Sequence, residues 1–209
     1  MPFTDRRDAG RRLAARLTGR FGADGVVVIG LPRGGVPVAA ELAAALEADL
    51  DVTLVHKLGA PYQPEFAIGA VAHGGARIVD QKAARHVRAS EHDLAEIERR
   101  TRTELASRAR RLRRRYPEVP VEGRTVIVVD DGAATGLTAQ AACRKLRGLQ
   151  PAALIVALPV ASRAAVSTLR HYCDEIVCLE TPADFRSVGQ WYDDFTQTSD
   201  DEVLRLLGV

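Results

Sequence analysis

Asp130 and Asp131 stand side by side at the end of an apolar run, in a stretch, Val126–Thr138, that reads VIVVDDGAATGLT. Ionised carboxylates can only accept hydrogen bonds, so an adjacent pair suits a ligand rich in hydroxyls. The small residues Gly132, Ala133, Ala134 and Gly136 let a backbone close on an anion, and Thr135 and Thr138 add hydroxyl donors. A helical pattern begins at once, over Thr138–Leu149. A helix start offers unpaired N–H groups and the positive end of the helix dipole. Phosphate is a common tenant of such a site. A phosphate site beside acceptors for a diol describes a sugar phosphate. The stretch has no Gly-Lys-Ser/Thr of a Walker A loop and lacks the Gly-x-Gly-x-x-Gly dinucleotide spacing.

A second candidate loop is Leu31-Pro32-Arg33-Gly34-Gly35-Val36-Pro37, after the apolar run Val26–Gly30. Two glycines beside an arginine, between a strand and a helix, can turn backbone N–H groups toward an anion. Arg33 adds a forked charge suited to phosphate. A third segment, His56-Lys57-Leu58-Gly59-Ala60-Pro61, puts one of only three lysines at the end of another apolar run. Lys57 fits a point charge for an anion or a solvated strand-end lysine. Glu65 follows, and fits a proton-handling carboxylate or a surface one.

These residues need a scaffold. Continuous Val/Ile runs mark strands covered on both faces. The predicted strands are Val26–Gly30, Val52–Lys57, Val126–Asp130, Leu154–Leu158 and Glu175–Leu179. Between and around them lie predicted helices Asp5–Leu17, capped by Thr4 and stapled by Phe3, then Pro37–Ala48, Thr138–Leu149 and Arg163–Tyr172. Such alternation argues for an α/β fold, a parallel sheet flanked by helices, with ligands at the carboxyl ends of the strands. The segment 60–120 breaks the alternation. It holds a predicted hairpin, Ala67–His73 with Ala76–Asp80 around Gly74-Gly75, and a long helix, about Ser90–Arg115. Ser199-Asp200 caps a closing helix, Asp201–Leu207.

The bulk composition excludes several classes. The chain has 209 residues, 46% hydrophobic and 27% charged, with a net charge of +2. A chain this size buries about 70% of its unfolded surface and needs no disulfide staples. The small net charge gives no strong pull toward nucleic acid. Cys143, Cys173 and Cys178 lack metal spacing and read as reduced thiols in or near the core. No apolar run reaches 18 residues and no signal-peptide pattern opens the sequence, so a cytoplasmic protein without a membrane partner is expected.

The stretch 126–138 resembles the signature of the type I phosphoribosyltransferases, which bind 5-phosphoribosyl 1-diphosphate (PRPP). With GLPRGGVPVA and KLGAP, the whole is similar to a bacterial phosphoribosyltransferase-domain family to which no acceptor is generally assigned. The resemblance covers about residues 21–180. It implies one Rossmann-like domain, with a core of about 21–58 and 121–180, an inserted segment of about 59–120 and a small hood of about 181–209. It implies a pentosyltransferase of nucleotide metabolism. Asp130 and Asp131 would hold the ribose hydroxyls and meet Mg²⁺ indirectly, through the ligand. Gly132, Ala133, Ala134, Thr135, Gly136, Leu137 and Thr138 would cradle the 5′-phosphate. Arg33, Gly34, Gly35 and Lys57 would bind the diphosphate, with a cis peptide at Pro32–Arg33 or Arg33–Gly34. Glu65 would handle a proton on the incoming nitrogen nucleophile. The acceptor is a small molecule, with nucleobases among the candidates. His56 stands where adenine-type enzymes carry Arg, which leaves one phosphate contact open. Ala134 stands where 6-oxopurine enzymes carry a basic Asp, and alanine cannot take a proton.

Phe185, Trp191 and Tyr192 follow the last strand and read as a stacking platform for a flat acceptor ring, loosely similar to the family's hood; Trp191 fits the lobe's core equally well. From Arg99 to Arg115 there are nine arginines in 17 positions, with an apolar stripe through Leu94, Ile97, Thr101, Leu105, Ala109, Leu112 and Tyr116. That is a docked amphipathic helix with a solvated face. Asp174–Glu202 carries nine acids against Arg186 alone. Those opposed surfaces make a homo-oligomer the expected state. The competing function is a non-catalytic PRPP or nucleotide sensor that reaches RNA through the arginine helix.

Overall fold

The structure, a computed structural model, describes residues 2–21 and 25–208. Five parallel strands form the central sheet: β1 (Val26–Gly30), β2 (Asp49–Val52), β6 (Thr125–Val129), β7 (Ala153–Val160) and β8 (Glu175–Glu180). Their order is β2-β1-β6-β7-β8. The sheet grows one way from β1 and the other way from β6, so the topological switch lies between those two strands. Open α/β sheets bind ligands at that crevice.

The Val/Ile runs are explained by coverage on both faces. Val27 and Ile29 of β1 join Val126 and Val128 of β6 under α5 (Leu137–Arg147) and α6 (Arg163–Leu169). Val26, Val28, Ile127 and Val129 point the other way, onto α1 (Arg6–Leu17) and α2 (Gly35–Leu46). Side chains alternate along a strand, so two apolar faces demand an unbroken apolar run.

The single strand predicted over Val52–Lys57 is two strands in two sheets. β2 ends at Val52 and β3 (Val55–Ala60) begins a separate antiparallel sheet with β4 (Gln63–Ala72) and β5 (Arg77–Val79). Thr53 and Leu54 carry the chain across. The predicted β4–β5 hairpin is present, and a second turn at Pro61-Tyr62 joins β3 to β4. This small sheet packs through Leu58, Ile68 and Val71 on Leu94 of α4 (Glu91–Arg113). A short helix not anticipated from the sequence, α3 (Gln81–His86), is capped by Asp80. α4 opens with a Ser90/Asp93 capping box.

α1 is capped by Asp5 and not by Thr4: Asp8 N–H donates to the Asp5 carboxylate. α2 starts two residues before Pro37, which sits in the first turn, where a missing N–H costs nothing. α7 (Asp200–Leu206) closes the described chain, capped by Ser199. Its Val203 and the following Leu207 meet Leu105, Ala109 and Leu112 of α4. The arginine-rich helix therefore docks by its apolar stripe, as read from its periodicity. Its end is anchored by Asp51, a buried carboxylate on β2: Arg113 Nη1 donates to Asp51 Oδ1 at 2.7 Å and Val119 N–H to Oδ2 at 3.0 Å.

The three cysteines are free; burial pushes all of them up, Cys173 and Cys178 to about 11, which keeps them as inert thiols. No helix among the described residues is long and apolar enough to cross a membrane.

Candidate active site

The loops after β1 and β6 leave neighbouring strands at the same height, since Gly30 pairs with Val129. The first runs Leu31–Gly34 into α2. The second runs Asp130–Gly136 into α5. They touch. A Cβ on Gly34 would lie 2.0 Å from Asp131 Oδ2, and one on Gly35 would lie 2.6 Å from the Val129 carbonyl oxygen. Only glycine permits that approach. The Pro32–Arg33 peptide is cis, at one of the two positions expected.

Helix capping separates these two loops from the rest of the molecule. Side chains cap α1, α3, α4, α6 and α7. No side chain caps α2 or α5, whose N-caps are Gly34 and Gly136. Both uncapped helices start at the switch point. In α5 the Thr138 and Ala139 N–H groups remain for an anion. In α2 Gly35 and Val36 N–H donate to the Leu31 and Arg33 carbonyls and Pro37 has none, so the donors left there are the Arg33 and Gly34 N–H groups of the loop before it. Gly136 takes a left-handed φ of 72°, which a side chain would strain. The second loop is pinned from behind. Ala133 N–H donates to the Val160 carbonyl, Ser162 N–H to the Ala133 carbonyl, and Ser162 Oγ to the Ala134 carbonyl at 2.7 Å.

Between the loops sit Asp130 and Asp131. Burial, then the adjacent Asp131 carboxyl, raises Asp130 well above its usual value. Burial raises Asp131 too, opposed by Arg6. Arg6 was not foreseen from the sequence. Its Nε donates to Asp131 Oδ2 at 2.8 Å, its Nη1 donates to the Thr196 carbonyl, and its guanidinium stacks 4.0 Å from the Phe195 ring centroid. Arg33, by contrast, makes no ion pair among the described residues.

The hood differs from the exposed platform expected. Tyr192 is buried between Phe3 and Phe195, with ring centroids 5.3 and 5.1 Å away. Its hydroxyl donates to the Asp131 carbonyl at 2.6 Å, and burial pushes its pKa up. Tyr192 thus braces the aspartate loop from the hood and presents no open face to a ring. Phe185 and Trp191 pack half-buried against the same cluster. Trp191 keeps a buried Nε1–H with no partner among the described residues. The N-terminal segment belongs to this hood: Phe3 bridges to Tyr192, and Asp194 N–H donates to the Thr4 carbonyl.

Lys57 and Glu65 come together with each other. Lys57 lies inside β3, opposite Ala70, and not at the end of a parallel strand. Its Nζ meets Glu65 Oε2 at 2.6 Å, and that hydrogen bond holds Glu65 below the usual carboxylate value. No hydrogen bond or ion pair among the described residues joins either side chain to the aspartate pair. Among the described residues no three His, Cys, Asp or Glu side chains cluster as a metal cage. A metal here would rest on one or two carboxylates and on ligand oxygens, which is the habit of Mg²⁺.

A five-stranded parallel sheet with two glycine loops meeting over paired aspartates defines a phosphoribosyltransferase-type class. The family model "Phosphoribosyl transferase domain" matches residues 4–195, and the chain belongs to that family. Two relatives from Mycobacterium tuberculosis strains, named "Putative phosphoribosyl transferase" MT0597 and Rv0571c, are each 47% identical over 98% of this chain. The chain spans about half of their length, 46%. The crystal structure of TT1426 from Thermus thermophilus is 44% identical, covers 99% of this chain and 98% of its own, and superposes with a TM-score of 0.81. AQ2163 from Aquifex aeolicus, at 11% identity, covers 97% of this chain and 84% of its own with a TM-score of 0.55, and shares the fold.

Proposed function

We propose that the chain transfers the 5-phosphoribosyl group of PRPP to a nitrogen nucleophile and releases diphosphate. The observation that carries this reading is the meeting of two uncapped helix starts over Asp130 and Asp131 at the β1/β6 switch. The α5 start accounts for the 5′-phosphate, the Arg33-Gly34 loop before α2 for the diphosphate, and the aspartates for the diol between them. Asp130 and Asp131 accept from the ribose hydroxyls. Gly132–Thr138 holds the 5′-phosphate on the α5 N-terminus. Arg33 and the Gly34 N–H hold the diphosphate; Gly35, expected to share that role, donates its N–H to the Leu31 carbonyl and serves the close approach of the two loops. Mg²⁺, when bound, neutralises charge on the leaving group.

The nitrogen lone pair forms a bond to C1 of the ribose while the C1–O bond to diphosphate breaks, and diphosphate leaves with that electron pair. Positive charge builds on the ribosyl ring, so carboxylates beside it stabilise the transition state. The nitrogen's proton passes to a base, for which Glu65 is the candidate. Lys57 places that carboxylate and adds a positive charge toward the diphosphate when β3–β4 swings over the site. Phe185 and Trp191 are the candidates for contact with the acceptor, and Tyr192 of the same cluster holds the aspartate loop. A homo-oligomer in the cytoplasm is part of the same proposal.

A second reading, a non-catalytic PRPP sensor, draws on Glu65: its side chain is 95% exposed and pairs with Lys57, with no hydrogen bond or ion pair to the aspartates among the described residues. One experiment separates the two. Diphosphate release from PRPP with Mg²⁺ is followed with adenine, guanine, hypoxanthine, uracil, orotate and ammonia, with Asp130→Asn/Asp131→Asn as the blank. Release with one acceptor, absent in the blank, is expected. PRPP binding with no release in any arm would favour the sensor.

A further inference from the structure

A concavity of about 400 Å³ lies between α4 and α7, walled on one side by Pro32 of the loop that starts α2. Leu54, Leu112, Val203 and Leu204 contribute its apolar surface. Its charge comes from Asp200 of α7 and, in the last turns of α4 and just after it, from Arg108, Arg111, Arg114 and Arg115. The volume is that of a small-molecule site, for which about 300–1,000 Å³ is usual.

The pairing of these arginines is uneven. Arg99 and Arg100 meet Glu96, Arg102 meets Glu98, and Arg113 meets Asp51. At the cavity, Arg108 meets Asp200. Arg111, Arg114 and Arg115 form no ion pair among the described residues. Three like charges within two turns repel one another, and an anion between them would relieve that repulsion. Guanidinium forks match phosphate oxygens in geometry as well as charge. The apolar surface beside them suits a flat, uncharged ring. A nucleic acid strand would need a continuous basic track, and Glu91, Glu96, Glu98 and Glu104 interrupt α4 before the cavity.

We propose that this cavity is a second ligand site, which binds a nucleoside phosphate with its phosphate on Arg111, Arg114 and Arg115 and its base against Leu54, Leu112 and Val203. The site is independent of the transferase reading. None of its charged residues belongs to the aspartate loop, and it touches the diphosphate loop only at Pro32, the residue before Arg33.

The probe is a fluorescent N-methylanthraniloyl AMP, titrated against the full chain and followed by anisotropy. Arg111→Gln/Arg115→Gln should weaken it by about tenfold or more, the worth of a lost charge-assisted contact. Leu204→Trp fills the apolar side and spares every arginine, and should weaken it as well. Asp130→Asn/Asp131→Asn should change its affinity by less than about twofold. Both cavity variants replace side chains that are exposed or half-buried, and their melting curves verify folding. Loss of binding in the aspartate variant with retention in the arginine variant would overturn the proposal. So would absence of binding up to about 1 mM probe. Displacement of the probe by a short single-stranded RNA that binds more tightly through the same arginines would reassign the surface to nucleic acid.

Discussion

Arg6 Nε lies 2.8 Å from Asp131 Oδ2, across 125 residues of sequence. The first helix thereby supplies the counter-charge to a carboxylate of the candidate ribose site. The same guanidinium reaches the Thr196 carbonyl and the Phe195 ring, so one side chain joins the first helix, the aspartate loop and the hood. Arg6→Ala removes what opposes the rise in the Asp131 pKa. PRPP affinity should fall, and fall further on mild acidification, as more of Asp131 holds its proton. Calorimetric titration across pH measures this. Arg6→Lys keeps the charge but loses the fork and the stacking, and should recover only part.

Asp130 makes a prediction about pH. Its folded pKa is raised above the ordinary 3.8. A carboxyl raised by folding holds its proton more tightly in the fold than in the unfolded chain. Its contribution to stability is therefore complete below pH 3.8 and is lost as the pH rises through the folded value. Asp130→Asn should melt above the parent at neutral pH, and the gap should narrow as the pH falls. Hydroxyl donors favour the ionised form, so PRPP binding should release protons. Calorimetry in two buffers of different ionisation enthalpy reads that release; equal heats would reject the shift.

Gly34 gives a steric prediction. Its φ of −62° and ψ of −31° suit any residue, so Gly34→Ala should fold. The added methyl would sit 2.0 Å from Asp131 Oδ2 and must push the two loops apart. PRPP binding should weaken by about tenfold or more, with a melting temperature within a few degrees of the parent. Unchanged affinity would mean that the loops need not touch.

Asp51 and Arg113 should matter for stability alone. Breaking a largely buried ion pair by removing one partner costs about 3–5 kcal/mol, because the other charge is stranded. Arg113→Ala should lose that much in urea denaturation, while Asp51→Asn/Arg113→Met should lose less. Diphosphate release per folded molecule should be unaffected in both.

The sheet and both candidate loops were legible because a strand buried on two faces leaves an unbroken Val/Ile run, and because glycine, arginine and aspartate types follow β1 and β6 directly. The Val52–Lys57 run misled for the same reason. Thr53-Leu54 keeps the apolar pattern going while the chain changes sheets, so Lys57 moved from a strand end to the middle of β3. α3 has six residues, too few to display a helical period. Tyr192 read as a platform because an aromatic cluster looks alike whether it packs on a ligand or on Phe3. Arg6 left no local signal. It is one of four arginines in Arg6–Arg12, and nothing in that stretch points to residue 131; only the closed fold pairs them.

The pairing of Gly30 with Val129 sets a limit on what side-chain changes can do. Both loops depart from adjacent strands, and adjacent strands lie about 4.8 Å apart through their main-chain hydrogen bonds. The interval between the two candidate anion loops is thus a ruler made of backbone. Substitutions within the loops can retune how tightly each end is gripped. Lengthening or shortening the molecule that spans them would require re-registering the sheet itself.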